Sequence, residues 1–156
     1  MKYRLKITDE ESKKEINVSE DEIIEVKYKI GLAEDTNLAN SRSTVEMEIT
    51  GKIISNLENA GNNLNSENKS VNDDLYEKKK KNIIDLVEWA ESYLQKSDYR
   101  NLEMFVDLGS NKKIDLKFTN MFVYNFLQEM SIEKGIGIFK LKLRQKFHQK
   151  NKLDIK

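Results

Sequence analysis

The sequence predicts a mainly β fold, an antiparallel barrel or sandwich flanked by one α-helix. Three observations carry the prediction. Apolar residues recur at every second position in six separate runs, a stretch around Trp89 recurs at helical spacing, and Gly109-Ser110-Asn111-Lys112 joins two of the runs as a hairpin.

The first run places Tyr3, Leu5 and Ile7 on one side and Lys2, Arg4, Lys6 and Thr8 on the other, the pattern of a half-buried strand. Ile24, Val26, Tyr28 and Ile30 repeat it against Glu25, Lys27 and Lys29, and Val45, Met47, Ile49 and Ile53 against Glu46, Glu48 and Thr50. Between these two runs, Gly31 to Ser43 is longer than the ~2–5 residues a hairpin needs, and it keeps Leu32, Leu38 and Ala39. From Ile54 the periodicity collapses into seven Asn between Asn56 and Asn72, which predicts a flexible insertion over about 54–80 within a single 1–156 domain. Ile83, Leu86, Val87, Ala90, Tyr93 and Leu94 then form a helical stripe around Trp89, with Asp85, Glu88 and Glu91 on the outer side. Lys78 to Lys81 precede it as a solvated lead-in, because a helix N-terminus disfavours cations. Leu102, Met104, Val106 and Leu108 pair through the hairpin with Ile114, Leu116 and Phe118. Phe139, Leu141, Leu143 and Phe147 close the series, alternating with Lys140, Lys142, Arg144 and Lys146. Strands with one apolar and one charged face make antiparallel sheets.

Composition excludes more than it selects. The chain has 156 residues, 27 basic and 27 acidic, one His, no Pro and no Cys. No thiolate can serve as nucleophile or metal ligand, and a triad would depend on His148 alone, in a lysine-rich tail where a solvated His is the ordinary reading. A net charge of zero argues against a generic nucleic-acid binder. The first six residues carry charge at alternate positions and no apolar run approaches the ~20 residues of a membrane span, which predicts synthesis and folding in the cytoplasm.

The neutral total hides two opposed blocks. Asp9 to Glu48 holds twelve acids and five bases, a net of −7; Lys134 to Lys156 holds eight bases and one acid, a net of +7. Such blocks either neutralise within one fold or meet between copies, where opposite charge fixes orientation.

Enzyme signatures are missing. There is no metalloprotease, serine-hydrolase or phosphate-loop motif, and Gly135-Ile136-Gly137 lies before a strand rather than between a strand and a helix. The pairs Glu46/Glu48 and Asp107/Asp115 are what a charged surface supplies. The comb Lys140, Lys142, Arg144 and Lys146 lacks interleaved exposed aromatics for stacking on bases. No catalytic, cofactor or metal site is expected.

Element order and several segments do suggest a family. They are Ser43-Thr44-Val45-Glu46-Met47-Glu48-Ile49-Thr50-Gly51-Lys52-Ile53 after the long loop, Leu86-Val87-Glu88-Trp89-Ala90 in the helix, and Tyr99-Arg100-Asn101-Leu102-Glu103-Met104. They continue with Phe118-Thr119-Asn120-Met121-Phe122-Val123 and the closing Gly135-Ile136-Gly137-Ile138-Phe139-Lys140-Leu141-Lys142-Leu143-Arg144-Gln145-Lys146. The chain resembles the tail-tube superfamily: inner-tube proteins of contractile phage tails and phage-tail-like injection systems, and the haemolysin-coregulated protein of type VI secretion. The resemblance implies a small β-barrel with one flanking helix, six copies joined edge to edge in a ring, and rings stacked into a hollow tube. It implies that the loop with Leu32, Leu38 and Arg42 reaches the neighbouring ring. The polar insertion departs from the family pattern.

The expectation is therefore a non-enzymatic structural subunit of a ring and tube, with no cofactor and no membrane. Its interface residues would be Leu32, Leu38 and Arg42 with the strand faces around Glu46, Glu48, Lys140, Lys142 and Arg144. Its partners would be itself, sheath proteins and baseplate or spike proteins, with DNA or effector only as cargo in the lumen, and it would end in a virion tail or injection particle. The alternatives are a baseplate or tube-initiation adaptor of the same system, and a β-barrel binding a small apolar ligand with the helix as lid.

Overall fold

The computed structural model describes residues 1–31, 44–53, 67–93, 95, 98–131, 136–146 and 153–156. Among them run β1 (Lys2–Asp9), β2 (Glu15–Val18), β3 (Ile23–Gly31), β4 (Thr44–Ile53), α1 (Glu67–Glu91), β5 (Arg100–Gly109), β6 (Lys112–Ser131), β7 (Ile136–Gln145) and β8 (Leu153–Ile155). Every strand pairing is antiparallel, in the order β2-β1-β5-β6-β7-β4-β3, with β8 against β6.

The period-two runs bury the sides they should except on β3, where Ile24, Tyr28 and Ile30 stay exposed, and at Leu108, exposed at the end of β5. Leu5, Ile7, Val45, Met47, Ile49, Leu102, Met104, Leu116, Phe118, Phe139, Leu141 and Leu143 share one core with Trp89 and Leu86. The hairpin after β5 turns on Ser110 and Asn111, both with positive φ, which is the backbone that a two-residue turn matching the strand twist requires.

β6 is long enough to serve two neighbours. Its first half pairs with β5, Asn120 adopts positive φ where the register slips, and residues 121–131 pair with β7. At the far end of the path, β2 runs into β3 through a short turn whose Glu22 carboxylate accepts the Ser19 amide at 2.8 Å. That turn brings the two end strands of the sheet together, so the sheet rolls on itself. Tyr28 of β3 meets Phe118 of β6 edge to face across the interior, 5.8 Å between ring centres.

Four expectations are corrected in and beside the helix. It begins at Glu67, so residues 67–80 of the expected insertion are helical, while 54–66 lie outside the described residues. Its first half is largely polar in sequence, which hides the helical period. Lys79, assigned to a solvated lead-in, is buried and bonds Asp21 at 2.7 Å. Asp85, assigned to the outer side, is buried and holds Lys14 at 2.6 Å. Both ions lie inward because they fasten α1 to the turns around β2, and Asn82 adds a bond to the Asn17 carbonyl. Tyr93, placed in the apolar stripe, is instead exposed just beyond the helix end.

Candidate assembly interface

Four strands form the part of the sheet in which the charged residues gather: β3, β4, β7 and the distal half of β6. Their backbones alternate in direction, since each adjacent pair is antiparallel. Among the described residues, β3 has no strand beyond it, and residues 122–131 of β6 have none on the side away from β7. The four-stranded unit therefore ends in two open edges, one on each side. An open edge presents unpaired N–H and C=O groups and invites another strand.

The outer face carries cross-strand rows of charge. One row runs Lys29, Glu46, Arg144; the next Lys27, Glu48, Lys142; the third Glu25, Thr50, Lys140. Arg144 reaches Glu46 at 2.8 Å and Lys142 reaches Glu48 at 3.5 Å. The Arg144 guanidinium also lies over the Tyr124 ring, 4.7 Å from its centre. The five charged residues expected at an interface, Glu46, Glu48, Lys140, Lys142 and Arg144, are thus brought together on one face. Leu32, Leu38 and Arg42 lie outside the described residues, as do Phe147 and His148.

Both edges leave apolar side chains exposed, on the inner side at Tyr28, Ile30 and Met130 and on the outer side at Tyr124 and Leu127. Of eleven exposed large apolar residues among those described, six sit on the two open edges: Ile24, Tyr28 and Ile30 on β3, and Tyr124, Leu127 and Met130 on β6. Their distribution is not the scatter of an ordinary surface. Beside the β6 edge, the last turns of α1 leave a groove of about 470 Å³ lined by Val87, Ala90, Tyr93, Val123 and Phe126, among others. The distal half of β6 escapes sequence reading because Phe122, Tyr124, Phe126 and Leu127 put bulky apolar groups on both sides, which erases the alternation. A run apolar on both sides of a strand is a signal of a strand covered on both faces, and says nothing of its edge.

A second groove, about 310 Å³, lies among Lys2, Arg4, Glu20, Asp107, Lys113 and Asp115, so Asp107 and Asp115 stand among bases rather than as an isolated acid pair. No group of three or more His, Asp or Glu able to hold a metal ion occurs among the described residues. No helix among them is long and apolar enough to cross a membrane.

No protein-family model matches the chain, and no curated protein matches its sequence. Solved structures do. The Hcp1 protein of E. coli EAEC 042 pathovar superposes with a TM-score of 0.57 at 11% identity, covering 100% of this chain and 98% of that one. Hcp1 from Flavobacterium johnsoniae gives 0.51 at 12% identity, with 98% and 94% covered. A chain of the anti-feeding prophage baseplate, 6-fold symmetrised, gives 0.50 at 5% identity, with 99% and 92% covered. At such identities the likeness is one of fold, and that fold is the mainly antiparallel β architecture with one helix that these Hcp1 chains share.

Proposed function

We propose that the chain is a structural subunit that joins head to tail into a closed ring, and that its rings stack into the inner tube of a contractile injection system. The observation that carries the proposal is the pair of open edges on a four-stranded unit. With an even number of alternating strands, the β3 edge of one copy runs antiparallel to the β6 edge of the next, and every later copy repeats the same joint. A heterologous contact of this kind closes into a ring when the rotation permits. The number six follows the six-fold symmetry given for the anti-feeding prophage baseplate, whose chain shares the fold.

In the ring the rows of Lys27, Lys29, Glu46, Glu48, Lys140, Lys142 and Arg144 face the lumen. A hydrated face of alternating sign lets cargo pass without a fixed apolar contact. The segment with Leu32, Leu38 and Arg42 stacks one ring on the next, and sheath and baseplate or spike proteins complete the particle. The role is mechanical rather than catalytic.

Native mass spectrometry and negative-stain microscopy at high protein concentration and low salt test the proposal. The expected result is one ring stoichiometry, six copies, with short tubes at the highest concentrations. A strictly monomeric species across that range contradicts it.

A further inference from the structure

Among the described residues, β8 pairs with one strand alone. Leu153, Asp154 and Ile155 stand antiparallel to Phe118, Lys117 and Leu116 of β6. The Asp115 and Lys156 backbones exchange N–H···O bonds at 2.9 and 3.0 Å. No strand lies beyond β8 among the described residues. β5 occupies the other side of this part of β6, so β8 lies on the β7 side.

β8 does not continue the β7 ladder. β7 leaves β6 at Lys146, whose amide donates to the Asn120 carbonyl at 2.7 Å, and β8 rejoins it opposite Phe118. Thr119 lies between those two points, and its carbonyl accepts from the Gln145 side chain at 3.0 Å. The chain places six residues, 147–152, between the two ladders. Six residues reach about 20 Å when extended, so β8 can leave while β7 stays paired.

We infer that β8 is a detachable strap, and that the β6 edge beneath it, Asp115 to Phe118, is an acceptor for an extended peptide of apolar-polar-apolar sequence. The ring joint lies along the other side of β6 and does not involve this edge. An edge strand of three residues has few bonds to lose, so it opens locally while the rest of the sheet holds. Ile155 is 55% exposed, so little apolar burial secures it. Backbone bonds alternate along an antiparallel pair, so Asp115 and Lys117 face β8 while Leu116 and Phe118 face β5. Opening therefore frees the N–H and C=O groups of Asp115 and Lys117, and a freed edge takes a new strand by backbone pairing. β8 itself shows the register that fits, Leu153 and Ile155 opposite the core residues Phe118 and Leu116 with Asp154 between them.

Hydrogen exchange on the intact chain tests the strap. The Asp115 and Lys117 amides should be protected about ten-fold less than those of Leu116 and Phe118. Equal protection means that β8 opens only with the whole sheet, and overturns the strap. Asp154→Pro in the full-length chain tests the acceptor, because it removes the amide that pairs with Lys117. The probe is a fluorescein-labelled peptide of residues 150–156, followed by fluorescence anisotropy. The variant should keep the parent circular dichroism spectrum and bind the peptide about ten-fold more tightly than the parent, whose own β8 competes. A peptide carrying the same Asp154→Pro change should not bind. A variant that loses its fold overturns the strap. A folded variant that binds the peptide no more tightly than the parent, or binds both peptides alike, overturns the acceptor.

Discussion

Arg144 of β7 clasps Glu46 of β4 across adjacent strands, with Nη2 2.8 Å and Nε 2.9 Å from the same carboxylate oxygen. These residues come from the basic and acidic blocks at opposite ends of the chain, so at this point the blocks neutralise within one subunit. Lys142 and Glu48 repeat the arrangement one row along. Both pairs are satisfied within the sheet of one subunit.

Reversing one member therefore acts on the monomer. Both Arg144 and Glu46 are nearly half exposed, with side-chain accessibilities of 48% and 40%, so screening keeps the pair weak. Arg144→Glu should cost about 0.5–1 kcal/mol in urea unfolding, from the lost pair and the new like-charge contact. The exchange Glu46→Arg with Arg144→Glu should recover most of it, and should leave ring formation unchanged.

Gly51 stands opposite Phe139, and the ring lies across the place where a side chain would be. A Cβ at residue 51 would sit 2.2 Å from the Phe139 ring and 2.9 Å from the Glu22 carbonyl oxygen. Gly51→Ala should destabilise by about 1–3 kcal/mol, seen as a lowered Tm. Combining it with Phe139→Leu should cost less than the sum of the two single changes, because they share one space.

Trp89 fixes the helix to the sheet. It is fully buried, its indole N–H donates to the Asp98 carbonyl at 2.8 Å, and the Arg100 guanidinium lies 5.2 Å from its ring centre. Trp89→Ala should cost roughly 3–5 kcal/mol, and Trp89→Phe, which keeps an aromatic ring and removes the donor, about 1–3 kcal/mol. Circular dichroism is the readout, since Trp89 is the only tryptophan.

Acid should loosen the β1–β2 and β2–β3 turns first. Burial opposes ionisation of Asp9, but hydrogen bonds from Ser12 and the Glu11 amide, with the Arg100 charge, outweigh it and hold the carboxyl below its ordinary 3.8. Asp21 is likewise buried in part and is held below 3.8 chiefly by the Lys79 ammonium and the Ser19 hydroxyl. Both groups bind protons more weakly folded than unfolded. Their stabilisation is complete above the unfolded value and is lost as pH falls through the lower, folded one. Asp9→Asn and Asp21→Asn should be less stable than the parent at pH 7, with the gap closing below pH ~4 in denaturant titrations.

The legible parts of the fold are those where one side of a strand meets the core and the other meets water. Leu102, Met104 and Val106, or Phe139, Leu141 and Leu143, announce themselves by alternation. β2 and β8 are too short to show a period, with only Ile16 and Val18 in one and Leu153 and Ile155 in the other. The first half of α1 is hidden because its residues are polar, and the inward turn of Lys79 and Asp85 depends on partners, Asp21 and Lys14, that lie far away in the chain. The charged comb of the candidate interface was visible as a comb. That its teeth mesh with Glu46 and Glu48 was not, because register belongs to the assembled sheet. The open β6 edge is invisible for a different reason: among the described residues it is defined by which strands pair with β6, not by the residues of β6 itself.

The central claim is that the β3 edge of one copy joins the β6 edge of the next. Ile30→Asp would bury an unpaired carboxylate at the first edge, and Met130→Asp would do the same at the second. Each variant keeps one working edge, so each alone should be monomeric in native mass spectrometry with an unchanged circular dichroism spectrum. Mixed in equal amounts, they should form a 1:1 heterodimer that grows no further. Rings from either variant alone, or no heterodimer from the mixture, would contradict the account.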